Sequence, residues 1–214
     1  MNLTYRLLNE RDLAAIQAVQ ADVCAALDDP AILQPLSVAE LLNILRGNGV
    51  MLGVFSSEQL VAFRALLKPA VDEDEHLGAD VGATDFTRVL YQEISNVHPD
   101  VRGQGLQKLM ASWIMDKVDS ANFDWICATV MPYNIASLKD KFAQGMYVYA
   151  LKLKYGGKLR YVFGKNLRDE RIFGEEMVQV SMRDTETQQQ LLANGFVGVS
   201  MEALEGDWFV TYRK

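Results

Sequence analysis

The sequence predicts an α/β fold, a mixed twisted sheet flanked by helices, on three observations. Residues Tyr91–Val97 alternate as a strand does, pass through His98 and Pro99 into a turn carrying Arg102, Gly103 and Gly105, and open at once into an amphipathic helix. That helix is followed by the apolar, β-branched run Phe123–Val130, which completes a strand–helix–strand unit with a right-handed crossover. Paired strand-like segments flank the unit, Val50–Phe55 with Leu60–Leu67 before it and Met146–Lys154 with Lys158–Lys165 after it.

Taken in order, Leu3–Leu8 reads as a first strand, and Asn9 and Asp12 as the cap of a helix through Leu13, Ile16, Val19, Val23 and Leu27 toward Pro30. Ser37 and Glu40 form a capping box, with Leu36 and Leu41 in staple positions, and Gly47 stops this second helix. Ser56–Gln59 is the polar turn of the first hairpin. Pro69–Arg88 is the least regular stretch and is acidic, with Asp72, Glu73, Asp74, Glu75, Asp80 and Asp85. It reads as a solvated loop, or more sharply as an electronegative rim that attracts an amine. His76, within it, reads as a surface histidine.

In the helix after the glycine turn, Leu106, Leu109, Met110, Trp113, Ile114 and Val118 share one face. Cys127 lies mid-strand and reads as a buried structural thiol, since no histidine or helix start is arranged to lower its pKa. Pro132 and Asn134 make a turn and cap for a helix that ends near Gly145. Tyr155-Gly156-Gly157 is a hairpin turn, and Tyr147, Tyr149, Tyr155 and Tyr161 read as cross-strand packing, with substrate lining as the second role.

Past residue 165, Met177–Met182 is strand-like. Asp184 caps a helix through Gln188, Leu191 and Leu192 to Asn194-Gly195, and Phe196–Met201 and Trp208–Tyr212 suggest a last hairpin through Glu205-Gly206-Asp207. The division expected is a main domain over 1–165 and an extension, 166–214, packed on it. Three roles for the extension stay open: sheet extension, substrate wall and homodimer contact.

Composition bounds the function. The 214 residues give room for one domain with a substantial core. A net charge of -7 makes nucleic acid a poor partner, because phosphate contacts need a basic face, and favours cationic or neutral substrates. The two cysteines, Cys24 and Cys127, are far apart and have no metal-ligand spacing, which argues against a disulfide scaffold and a zinc site. With no signal-like N-terminus and no membrane-length apolar run, a cytoplasmic protein without membrane partners is expected.

The strand, glycine turn and helix start form an anion site. Glycines let the backbone approach a ligand, and free N–H groups with the helix dipole favour phosphate. A P-loop is excluded, because no GxxxxGK[ST] run exists, and Gly103-Gln104-Gly105 lacks the third glycine of a dinucleotide fingerprint. What remains, V-x-P-x-x-R-G-x-G-L, resembles the acyl-CoA pyrophosphate loop of the GNAT N-acetyltransferase superfamily. Arg102, Gly105 and Gln107 take the three fixed places of its [QR]-x-x-G-x-[GA] core, Gln107 departing from the small residue usual there. Asn134 and Ser137 match the second signature, P-x-N-x-x-[AS]. The resemblance covers residues 1–153, with Val97–Gly145 as its specific core. The acidic His76–Asp80 segment and the RGxGLQ form are similar to a bacterial acetyltransferase group within the superfamily.

The resemblance implies a GNAT-like acyl-CoA N-acyltransferase fold with a C-terminal α/β extension, and acetyl-CoA as cosubstrate without a metal. The amides of Arg102, Gly103, Gln104, Gly105, Leu106 and Gln107 would hold the pyrophosphate. The Val97 backbone would meet the pantetheine arm and thioester carbonyl, and Asn134 with Ser137 the pantetheine region. Amine acetylation needs a neutral amine, and Glu93, four residues before Val97, is the provisional base. The tyrosine that commonly protonates the leaving thiolate is here Lys141, which reads as a solvated helix lysine, leaving the acid open among Lys141, Tyr133, Tyr147 and water. The implied function is acetyl-CoA-dependent N-acetylation of a small, amine-bearing, cationic acceptor. An acyl-CoA-binding regulatory module without transferase activity is the alternative.

Overall fold

Caps and turns set the element boundaries. Strand β1 (Leu3–Leu7) ends at Asn9, whose side chain accepts from the Arg11 amide at 3.0 Å while Asp12 accepts from the Asn9 amide at 2.9 Å. Helix α1 (Leu13–Ala25) follows that box. This computed structural model describes residues 3–29 and 32–214, so Pro30 lies outside the described residues. Helix α2 (Val38–Asn43) starts on the expected capping box: the Ser37 hydroxyl accepts from the Glu40 amide at 3.3 Å and the Glu40 carboxylate from the Ser37 amide at 2.7 Å. A wider turn, Ile44–Asn48, then stops at Gly47, whose φ of 110° suits glycine. Strands β2 (Gly49–Ser56) and β3 (Gln59–Leu67) are joined through Ser57 and Glu58, both at positive φ, the twist that a two-residue hairpin requires. There follow α3 (Leu77–Val81), β4 (Val89–Val97), α4 (Leu106–Met115), β5 (Trp125–Val130), α5 (Ile135–Ala143), β6 (Tyr147–Lys154), β7 (Lys158–Asn166), β8 (Met177–Ser181), α6 (Thr185–Ala193), β9 (Val197–Leu204) and β10 (Asp207–Arg213). No helix among the described residues is long and apolar enough to cross a membrane.

The chain forms two compact units, Met1–Pro69 with Tyr91–Asp119, and Ala70–Leu90 with Ser120–Lys214. In the first, β1, β2, β3 and β4 lie side by side in that order, each pair antiparallel. One face of the sheet, with Phe63, Ala65 and Ile94, shares its core with Ile16, Val19 and Val23 of α1 and Leu41 of α2. Gln20 is buried in that helix layer, and its amide both donates to the Leu36 carbonyl (2.8 Å) and accepts from the Leu36 amide (3.0 Å), so its burial is fully compensated. Helix α4 packs on β2 and β3 through Leu106, Met110, Ala111 and Ile114, with Trp113 stacked on Tyr5 at 4.0 Å. Its buried stripe is narrower than predicted. Leu109 is 41% exposed, and Val118 lies beyond the helix, where short bonds from Lys117 to Ile114 and Val118 to Met115 tighten the chain into a turn.

The second unit carries the strand order β5, β7, β6, β9, β10, β8, again with antiparallel pairs. Residues beyond 166 thus continue the sheet of β5–β7 through β9 beside β6. At the junction, Val148 opposes Gly198, where an added Cβ would lie 3.0 Å from that of Val148. Gln188 of α6 sits fully buried at the centre. Its carbonyl accepts from the hydroxyls of Tyr161 on β7 (2.6 Å) and Tyr212 on β10 (2.8 Å), and its NH2 donates to the carbonyls of Ser181, Met182 and Asp184.

The acidic stretch departs from the solvated loop expected of it. Asp72–Glu75 are exposed, but α3 forms next, and Asp80 turns inward to pair with Lys154, itself 1% exposed, at 2.9 Å, and with Lys152. His76 is buried rather than on the surface. It caps α3 by accepting from the Gly78 amide (3.0 Å) and stacks on Phe86 at 4.3 Å. Sequence alone reads charge as exposure, and a partner 74 positions away is invisible to it.

Gln188→Leu leaves two buried phenols without the acceptor they donate to, and is expected to lower stability by roughly 2–4 kcal/mol, seen as a fall in the urea midpoint. Burial, with the Lys154 ammonium nearby, holds the His76 pKa below its ordinary 6.5. The unfolded state therefore binds the proton more readily, and the contribution of His76, full above pH 6.5, is lost as pH falls through and below that value. Stability between pH 7 and 5 should fall less steeply in His76→Gln than in the wild type.

Candidate active site

Strand β4 does not keep a strict alternation. Ala65 faces Ile94 while the next residue, Leu66, faces Gln92, so Glu93 is the extra residue of a β-bulge. The bulge reassigns the faces. Gln92, Ser95 and Val97 lie on the side of Arg64 and Leu66, whereas Tyr91, Ile94 and Asn96 lie on the core side with Phe63 and Ala65. This corrects the strict alternation expected over Tyr91–Val97: Ser95 and Val97 still share a face, but Tyr91 leaves it and Gln92 joins it, because an inserted residue shifts the period-2 pattern by one. Glu93 is half-buried at the one irregular point of the strand, which is where a bulge re-aims a side chain.

Val97 ends β4 opposite Ala62, and a single turn, Pro99–Val101, follows it, capped by His98 and anchored by buried Val101. Arg102 is exposed in extended backbone, with Nε 3.5 Å from the Val97 carbonyl. Gly103 and Gly105 take φ of 78° and 72°, and a Cβ at either would meet nothing within 4 Å. The loop backbone is thus open where those side chains would lie. Gly105 caps α4 without a side-chain bond. Leu106 and Gln107 add first-turn N–H groups that no helix satisfies internally. The donor set and the dipole direction fit a pyrophosphate. Beneath the first turn lies Arg64, 1% exposed, whose guanidinium donates to the Gln107 carbonyl (3.2 Å) and to Gln92 (2.6 Å). The Gln107 side chain is half-buried.

In the second unit, Asn134 is the N-cap of α5, its Oδ1 accepting from the Ser137 amide at 3.3 Å, so both matched signature residues serve the same helix start. Lys141 is not the solvated lysine that its sequence position suggests. It is 7% exposed and pairs with buried Asp140 at 3.0 Å, and Gln144 donates to the same carboxylate at 2.9 Å. Cys127 is buried as expected, and burial pushes its thiol up, away from thiolate chemistry. Among the described residues, no group of three or more His, Cys, Asp or Glu is placed to hold a metal ion.

Two residues were missed by the sequence reading. Arg64 carried a signal, a lone cation within the apolar strand LVAFRALL, where only a specific partner compensates its burial. Asn96 carried none. It is 1% exposed on the core side of β4, and neither atom of its amide has a protein hydrogen-bond partner among the described residues.

A helix-flanked antiparallel sheet, a glycine loop between β4 and α4 and an asparagine-capped α5 define the class: the chain has the fold of the GNAT-family N-acetyltransferases. No family model matches the sequence, and no curated protein matches it. Solved structures do. The yncA protein of Salmonella typhimurium, whose structure holds its cofactor acetyl-CoA, is 18% identical, with a TM-score of 0.58 over 82% of this chain and 100% of that one. An acetyltransferase of the GNAT family from Streptococcus pneumoniae is 18% identical, with a TM-score of 0.57 over 77% of this chain and 99% of that one. Arabidopsis thaliana NAA60 in complex with acetyl-CoA is 14% identical, with a TM-score of 0.60 over 78% and 100%.

A buried amide with neither partner lowers stability, whereas an apolar group of similar shape does not. Asn96→Leu is therefore expected to raise the melting temperature by roughly 2–6 °C. A lowered Tm would show that the amide is compensated in the folded protein.

Proposed function

We propose that the protein is an acetyl-CoA-dependent N-acetyltransferase acting by direct transfer on a small, amine-bearing, cationic acceptor. The observation that carries this reading is the open glycine loop at the start of α4, which has no side-chain cap and whose first turn is tied to buried Arg64. Acetyl-CoA would supply a thioester already activated toward an amine. The N–H groups of Gly103–Gln107 would hold the pyrophosphate, with Arg102 beside them, and the Val97 backbone would meet the thioester end. Asn134 would contact the pantetheine region, its side chain oriented by the cap to Ser137. Glu93 would take the proton of the attacking amine, directly or through water; half-burial at the bulge suits a carboxylate to that task. The net charge of -7 favours a cationic acceptor, which such a field draws in.

One observation favours a second reading, an acyl-CoA-binding regulatory module. Lys141 stands where the resemblance places a proton-donating tyrosine, and it is buried in an ion pair with Asp140. A thiolate leaves well at neutral pH, so a missing acid does not by itself abolish transfer.

Thermal unfolding separates these readings. Acetyl-CoA and free CoA at about 100-fold their Kd should each stabilise the wild type by about 2.7 kcal/mol, and Arg102→Glu should lose most of that gain. Glu93→Gln should retain the shift but lose most turnover of acetyl-CoA in an amine screen. No shift in the wild type at millimolar ligand would reject the cofactor reading. A shift without turnover on any amine would favour the binding module.

A further inference from the structure

We propose that the last hairpin of the chain positions the Asn134 loop: Asp207 holds Tyr133, and Tyr133 fixes the angle at which Asn134 meets the pantetheine arm of acyl-CoA. This rests on the reading of Asn134 given above. All the residues concerned lie in the second unit.

Tyr133 immediately precedes the cap of α5 and takes a φ of 65°, in the left-handed region that a tyrosine occupies only at a cost in free energy. Backbone bonds from Asn134 to Met131 (3.1 Å) and from Ile135 to Tyr133 (2.8 Å) close the turn, but with the residue 43% exposed apolar packing does little to set its side chain. Its hydroxyl donates to Asp207 Oδ1 at 3.2 Å, across 74 positions of sequence. Asp207 is fixed in turn at the start of β10: the Ser181 hydroxyl donates to Oδ2 at 2.8 Å and Arg183 Nε lies 3.1 Å from the same oxygen. These donors, Ser181 first, hold its carboxyl below the usual carboxylate range, so it stays an anionic acceptor throughout the neutral range. A second contact joins the same two segments, the Lys139 ammonium of α5 lying 4.9 Å from the ring centroid of Trp208, the residue after Asp207.

The arrangement gives residues beyond 166 a task. β8 brings Ser181, the following turn Arg183 and β10 Asp207, and together they set one tyrosine on the signature loop. Tyr133 is thus a positioning residue. Its phenol is engaged as a donor to a carboxylate, an arrangement that makes it a poor proton source for a leaving thiolate and a good strut.

The test compares two probes. CoA carries the pantetheine arm; adenosine 3′,5′-bisphosphate carries only the nucleotide end. Both are titrated into the wild type, Tyr133→Phe, Asp207→Ala and the double variant. Each single change should weaken CoA about fivefold, the loss of one hydrogen bond, and leave the nucleotide within about twofold. The double variant should be no worse than the worse single, since both changes remove the same contact. Tyr133→Phe keeps the ring, so a folded variant is available even where Asp207→Ala is not. Unchanged CoA affinity in folded Tyr133→Phe overturns the proposal, as does an equal loss for both probes, which marks a merely structural role. Wild type that binds neither probe, or binds CoA no better than the nucleotide, fails the cofactor or Asn134 reading instead and removes the clamp with it.

Discussion

The start of α4 is the constraint on which the first unit depends. A helix cannot satisfy its own first N–H groups, and here no side chain does so. Two glycines in the left-handed region carry the chain into that start, with nothing packed against them. Such a loop keeps its shape only if its ends are fixed. Val101 is buried on one side, and Leu106, Met110 and Ile114 repeat every fourth residue to seat the helix on β2 and β3 on the other. Trp113 on Tyr5 fixes the far end. The loop is open in backbone and rigid in position, which is what anion recognition by amides requires.

Arg64 shows how the sheet takes part. Its guanidinium lies in the middle of β3 and meets a carbonyl of the first turn of α4. The interaction links strand and helix start by a directed bond added to the apolar contacts of Leu106 and Met110. Gln92, to which Arg64 also donates, reaches that side only because Glu93 is bulged out of the β3–β4 register. The bulge therefore does two things with one insertion: it makes Glu93 the irregular residue of the strand and brings Gln92 round to Arg64.

What was legible in the sequence was local. Ser37 with Glu40, Asn9 with Asp12, and Asp184 announce helix starts by bonds that span three residues or fewer, and all three form. The hairpins and the strand–turn–helix unit were legible for the same reason. What was not legible is non-local or breaks a period. The Glu93 bulge cannot be read from one strand, because the mismatch exists only against β3. Asp80 with Lys154, and His76 under Phe86, look like surface groups until the fold supplies partners. Lys141 was misread in the same way, although Asp140 stands beside it.

Gln20 and Gln188 both lie inside, and each spends its donor and its acceptor on neighbours, so each adds order at little net cost. Asn96 is equally buried and does neither. A fold that satisfies two internal amides so fully has the means to satisfy or replace a third. Asn96 stands one residue before Val97 on β4, and Tyr133, in its costly backbone, one residue before Asn134. Glu93 is the inserted residue on that same strand. Asn96 and Glu93 thus lie on the strand that leads into the glycine loop, and Tyr133 beside the cap of α5; left-handed residues and register shifts occur elsewhere too, at Glu75, Tyr155 and Glu205 and in β3, β6 and β9. Departures of this kind persist where the surrounding structure over-determines them, as Asp207, Ser181 and Arg183 do around Tyr133.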